Sequence, residues 1–119
     1  MKSYRDLEIY TLSYDLAINI HKMTLTLPKY EMYEEGSQIR RSSKGIPSCI
    51  VEGYGRKKYK ADFVKFLIYA HASCDETILH LNFIKDIHKP DKINEFLETY
   101  DELGRKINKF IQYVEKEWK

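Results

Sequence analysis

The chain has 119 residues, 43% hydrophobic and 32% charged, with only five Gly and three Pro. That length suits one domain with a modest core, and the scarcity of Gly and Pro excludes both a turn-rich β protein and a disordered chain. The net charge is only +2, but it is polarised: residues 37–66 hold eight cations against two carboxylates, a net +6, and the remainder is net −4.

The first helix is predicted from about Tyr4 to Leu27. Ile9, Leu12, Leu16, Ile20, Met23 and Leu27 recur at spacings of three and four, the signature of one helix face. Tyr10, Tyr14, Ala17, His21 and Leu25 form a second apolar stripe, more than a small bundle usually covers, which points to self-association. Pro28 is the stop, because the residue before a proline is pushed out of the α region. The second helix is predicted from about Tyr33 to Tyr54, with Ile39, Ile46, Ile50 and Cys49 marking its buried face. Pro47 lies inside it, where the missing N–H and the crowding of the Ser43 carbonyl predict a kink. Ser42, Ser43, Gly45 and Ser48 would let another backbone approach closely, and Gly53 and Gly55 suit a helix end.

The third helix is predicted from about Lys60 to Ile87, along Phe63, Leu67, Ala70, Cys74, Ile78, Leu81 and Ile84 or Lys85, with a narrow patch at Ala70, Ala72 and Ser73. His88-Lys89-Pro90-Asp91 makes the next turn. The fourth helix is predicted from about Pro90 to Glu117, with Ile93, Phe96, Leu97, Tyr100, Leu103, Ile107, Phe110, Ile111 and Val114 in one stripe that Trp118 extends. Short connections between four long helices favour an all-α, antiparallel up-down-up-down four-helix bundle with a proline-kinked second helix. No stretch is long and apolar enough to span a bilayer. The N-terminal MKSYRDLEIY lacks the apolar core of a signal peptide, so a cytoplasmic location is expected.

With the elements placed, an ordered set of residues resembles the bacterial four-helix-bundle family related to the 23S rRNA intervening-sequence protein. The set comprises Tyr4 and Leu7, Pro28 and Glu31, Gln38-Ile39-Arg40-Arg41, Gly45-Ile46-Pro47, Cys49-Ile50-Val51-Glu52-Gly53, and Ala72-Ser73 with Glu76. It runs in order along nearly the whole chain. Departures are Glu35 for Leu, Gly45 for Ser, Cys49 for Asn, Val51 for Ala and Ala72 for Gly, so a polar role of that Asn does not carry to Cys49. The resemblance implies a four-helix bundle that assembles as a ring-shaped homopentamer, with no established enzymatic activity. Some relatives are encoded within ribosomal RNA genes, and a related phage accessory protein is a partner of reverse transcriptase and nucleic acid.

The chemistry-bearing residues are few. Arg40, Arg41, Lys44, Arg56, Lys57, Lys58 and Lys60, with Tyr54 and Tyr59 among them, suit phosphate contacts and base stacking in RNA or DNA. The alternative is a solvated basic face paired with neighbouring carboxylates, and a pI near 8.4 is low for a dedicated nucleic-acid domain. Gln38, Pro47, Glu52, Gly53, Ser73 and Glu76 form the structural motif, with Gln38, Pro47, Glu52 and Gly53 expected on the inner face of the second helix beside Ile39, Ile46 and Ile50. Glu52 and Glu76, expected on facing helices, are read as structural carboxylates paired with Arg40 or Arg41, or bonded to a helix end. A di-metal bundle would want paired Glu-x-x-His motifs, which are absent here, and His21, His71, His80 and His88 are scattered. Cys49 and Cys74 form no CxxC pair and read as small buried thiols. No cofactor or metal is expected. The expected function is that of a non-enzymatic homo-oligomer that binds RNA or DNA. The alternative is an assembly module for a protein partner.

Overall fold

A computed structural model describes residues 2–119. Four α-helices follow one another: α1 Glu8–Thr24, α2 Glu35–Gly55, α3 Lys60–His88 and α4 Ile93–Glu117. Short 3-10 turns at Tyr4–Asp6 and Lys29–Tyr33 precede α1 and α2. Among the described residues there is no strand. The 29 residues of α3 span about 43 Å, which fits only along the 48 Å axis of a body 22 × 20 Å across.

Cross-helix contacts fix the directions. Lys44 reaches His21 and Arg40 reaches Thr24, so α1 and α2 run oppositely. Glu35 meets His80, Ser42 meets Thr77, and Gly45 faces Ser73, so α2 and α3 do too. Cys74 donates to the Tyr100 carbonyl while Phe63 packs on Phe110, which makes α3 and α4 antiparallel. The chain is therefore an all-α up-down bundle with α1 diagonal to α3, each packing on α2 and α4. The α1–α4 seam is the thinnest, and a cleft of about 970 Å³ opens along it, lined by Leu16, Met23 and Phe96 together with Lys22, Lys92 and Glu95.

The core follows the predicted stripes: Ile20 from α1, Ile39, Ile46 and Ile50 from α2, Phe63, Leu67, Leu81 and Ile84 from α3, and Tyr100, Leu103, Ile107 and Val114 from α4 are all buried. The α2–α3 seam is close because its residues are small. A Cβ on Gly45 would stand 3.2 Å from Ser73 Oγ, and one on Gly53 3.0 Å from Phe66 Cβ. Pro47 is buried inside α2 and the helix continues through it.

Several boundaries and faces differ from the sequence reading. α1 ends at Thr24, not Leu27, because Thr24 and Thr26 bond back through their hydroxyls to the His21 and Met23 carbonyls, and the N–H groups of Leu25, Thr26 and Leu27 close tight three-residue turns. The first residues, Tyr4–Asp6, form a separate 3-10 turn. α4 begins at Ile93 rather than Pro90, because Lys89 and Lys92 both take left-handed backbone angles, φ 51° and 66°, that turn the chain between α3 and α4. On α3, Thr77 is fully buried where Ile78 was expected, its hydroxyl shared between Ser42 Oγ and the Ser73 carbonyl. The second stripe of α1 is only partly used. Ala17 is buried and Tyr10 packs edge-on against Tyr4 at 4.8 Å, but Tyr14 and Leu25 are exposed.

Burial also sets the thiol chemistry. Cys74 is enclosed and its pKa is pushed up to about 12, chiefly by burial and then by Asp75 and Asp101. Cys49 is half-buried and its thiol is also raised, by burial and then by Glu52. The Tyr100 ring is wholly enclosed, yet its hydroxyl has no hydrogen-bond partner among the described residues and its ionisation is pushed upward, first by burial. An orphaned buried hydroxyl is destabilising. Tyr100→Phe is therefore expected to raise the thermal midpoint, by on the order of 1 kcal/mol of stability. A lowered midpoint would mean that the hydroxyl has a favourable role.

Candidate nucleic-acid interface

The basic segment that is continuous in sequence divides into two places. Lys44 and Arg56 are twelve helical residues apart, about 18 Å along α2. Arg40 is half-buried in the α1–α2 seam, where its guanidinium donates to Thr24 Oγ1 at 2.9 Å and to the Met32 carbonyl at 2.6 Å. It acts as a brace. Lys44 donates to His21 Nδ1 at 3.0 Å, and the His21 pKa is held below its usual value by desolvation, then by Lys44 and Arg40. Arg41 is exposed, with no ion-pair partner among the described residues.

The second place is the end of the bundle where α2 turns into α3. Arg56 bonds Glu52 at 3.2 Å, lies 3.9 Å from Asp62, and stacks 4.9 Å over the Phe66 ring. Lys57 stands 4.3 Å over Tyr54, Lys58 5.7 Å over Tyr59, and Lys65 5.9 Å over Tyr69. Such cation–ring contacts contribute roughly 0.5–1 kcal/mol at exposed sites. Lys60 donates to the Glu115 carbonyl at 3.1 Å, and the Trp118 indole donates to the Lys57 carbonyl at 3.3 Å. The C-terminal end of α4 thus holds the four-residue connection in place. Beneath it Phe63 meets Tyr54, Phe110 and Trp118 with ring centroids 6.2, 6.0 and 5.1 Å apart. Tyr59 itself is 62% exposed, so its face is available to a ligand.

The structural-motif residues separate as well. Pro47 and Gly53 are buried and Ser73 fits against Gly45, as an inner face requires. Gln38 and Glu52 are exposed, contrary to the inward placement expected of them, because the buried arc of α2 falls on Ile39, Ser42, Ser43, Ile46, Ile50 and Gly53. Glu52 pairs with Arg56 one turn on, not with Arg40 or Arg41. Glu76 is exposed and forms no ion pair among the described residues, so it too lacks the expected pairing with Arg40 or Arg41.

The buried carboxylate is a different one. Glu31, only 5% exposed, sits in the turn before α2, with its carboxylate oxygen 2.6 Å from His88 Nε2. Glu35 lies 2.7 Å from His80 Nδ1 one helical turn further on. These two pairs clamp the start of α2 to the end of α3. Each joins distant segments, so no periodicity marks it; Glu31 was visible only as part of the Pro28–Glu31 connection. Among the described residues no three His, Cys, Asp or Glu side chains converge as a metal site would need, and no helix is long and apolar enough to cross a membrane.

A model of the 23S rRNA-intervening sequence protein family matches residues 5–109. The chain belongs to this family. A solved structure from Bacteroides thetaiotaomicron, described as a protein of unknown function from the S23 ribosomal protein family, superposes on it with a TM-score of 0.78. The likeness covers 87% of this chain and 97% of that one at 20% identity, so it bears on the fold alone. No curated protein matches the sequence. For this member of the intervening-sequence family, the match spans the whole α1–α3 body and most of α4, including the basic connection between α2 and α3.

Proposed function

We propose that this chain is a non-catalytic homo-oligomer, a pentameric ring by its family resemblance, that binds RNA or DNA at the α2–α3 end of each bundle. The observation that carries this reading is the set of cations Arg56, Lys57, Lys58 and Lys65, each beside an aromatic ring, on a connection tied down by Lys60 and Trp118. Cations neutralise phosphates, and an exposed ring such as Tyr59 offers a stacking surface to any base. Arg40 is excluded from the contact surface because the fold consumes it, and Arg41 and Lys44 lie too far along α2 to share a short ligand with Lys58. Repetition around an assembly would multiply a weak single contact.

The test is retention of labelled single-stranded RNA and DNA by nuclease-treated protein at low salt. Wild type is expected to bind. Arg56→Glu/Lys57→Glu/Lys58→Glu is expected to lose binding by at least a hundredfold while its helical signal stays unchanged. No retention by wild type would remove the nucleic-acid reading in favour of a protein-binding assembly module. Equal binding by wild type and the triple variant would move the site elsewhere.

A further inference from the structure

Two apolar helix faces have no partner among the described residues. On α3, Ile68, Ala72, Leu79, Phe83 and Ile87 recur at helical spacing on the side away from the core, a stripe of about 29 Å. On α1, Tyr14, Ile18 and Leu25 do the same. The large members of both stripes are between 40 and 63% exposed. Isolated exposed apolar residues need no explanation, but aligned ones mark an interaction surface. Because α1 and α3 are diagonal in the bundle, the two stripes look out from different sides of the molecule.

Charge identifies the occupant. Beside the α3 stripe lie Asp75, Glu76 and Asp86 against one cation, Lys65, a net −2. Asp75 touches only His71, at 3.6 Å, and Glu76 and Asp86 make no ion pair among the described residues. Beside the α1 stripe lie Asp15 and Lys22 and, across the seam on α2, Arg41 and Lys44, a net +2, with none of the three cations paired with a carboxylate among the described residues. Packing α3 on α3 would oppose two net-acidic faces, and packing the α1–α2 face on itself would oppose two net-basic ones. Packing α3 against the α1–α2 face brings opposite net charges together.

We infer that the outer face of α3 in one copy seats on the outer α1–α2 face of the next, with Asp75 and Glu76 facing Arg41 and Lys44. This rests on the homo-oligomer reading above and names its two surfaces. The contact joins different faces, so it is heterologous and propagates until it closes into a ring. It also gives Glu76 and Arg41 the partners that the single chain lacks.

The test uses light scattering on nuclease-treated full-length protein. Tyr14→Glu/Ile18→Glu spoils one face and Leu79→Glu/Phe83→Glu the other, all at exposed positions. Wild type is expected to be an oligomer and each variant alone a monomer. Their equimolar mixture is expected to give a dimer and nothing larger, since each contributes one intact face. Arg41→Glu and Glu76→Arg are each expected to weaken assembly at least tenfold, and the double variant to restore it, which keeps the test independent of the apolar variants' folding. A monomeric wild type would overturn both the oligomer and its faces. An oligomeric wild type whose face variants assemble unchanged would overturn the faces and leave the oligomer standing. A mixture that stays monomeric, or a charge swap that restores nothing, would overturn the pairing of α3 with α1.

Discussion

Phe63→Ala is expected to lower the stability of the bundle by about 3–5 kcal/mol, the range for emptying an enclosed aromatic site. A domain of this length has on the order of 10 kcal/mol to lose, so the change would take a large share of it. Phe63 is fully buried, and its ring is the hub on which Tyr54 of α2, Phe110 of α4 and Trp118 beyond α4 converge. Gly53 lies against it, with the Phe63 ring edge 3.4 Å from where a Cβ would stand. The same ring supports the connection that carries Arg56, Lys57 and Lys58. The variant should therefore lose nucleic-acid affinity under conditions where it remains folded, and Phe63→Leu should recover most of both properties. Chemical denaturation followed by helical signal measures the first effect. A loss under about 1 kcal/mol would show that this end of the bundle is loosely packed.

His88→Ala is expected to cost about 3 kcal/mol, the upper end of the range for a hydrogen bond to a charged group. The reason is the group left behind. Glu31 is 5% exposed, and without the imidazole its carboxylate keeps only the long 3.4 Å contact from the Glu35 N–H. The surrounding turn cannot open easily, because Gly36 is in close contact with it: a Cβ there would come within 2.5 Å of the Glu31 carbonyl oxygen. Glu31→Gln, which can still accept a hydrogen bond from the ring, should cost much less than His88→Ala, and His80→Ala should fall between them because the Glu35–His80 pair is more open. Equal losses for His80→Ala and His88→Ala would contradict the special burial of Glu31.

The helices themselves were legible because most of their apolar residues keep the three-four spacing. Their ends were less so. Pro28 marks where α1 can no longer continue, but the threonine hydroxyls at 24 and 26 end it sooner by competing for backbone carbonyls. The left-handed Lys89 and Lys92 carry no sequence mark, since lysine is not a residue that prefers that backbone region. The candidate site was legible as a run of cations, but a run in sequence is not a patch in space. α2 carries Arg40 toward one end and Arg56 toward the other, and only the second group meets the aromatic rings. The reading of Glu52 as an inward structural carboxylate missed its simplest partner, Arg56 at the i+4 position, where a helix brings opposite charges together. Glu31 escaped because its meaning depends on His88, fifty-seven residues away.

The most direct test of nucleic-acid binding at the α2–α3 end is the salt dependence of affinity for a single-stranded RNA, measured on wild-type protein. If Arg56, Lys57, Lys58 and Lys65 each neutralise one phosphate, log affinity should fall linearly with log salt with a slope of about −3, at roughly −0.7 per contact for single strands. Lys58→Ala should reduce that slope by about 0.7. A slope near zero, or one that Lys58→Ala leaves unchanged, would contradict phosphate binding by these residues.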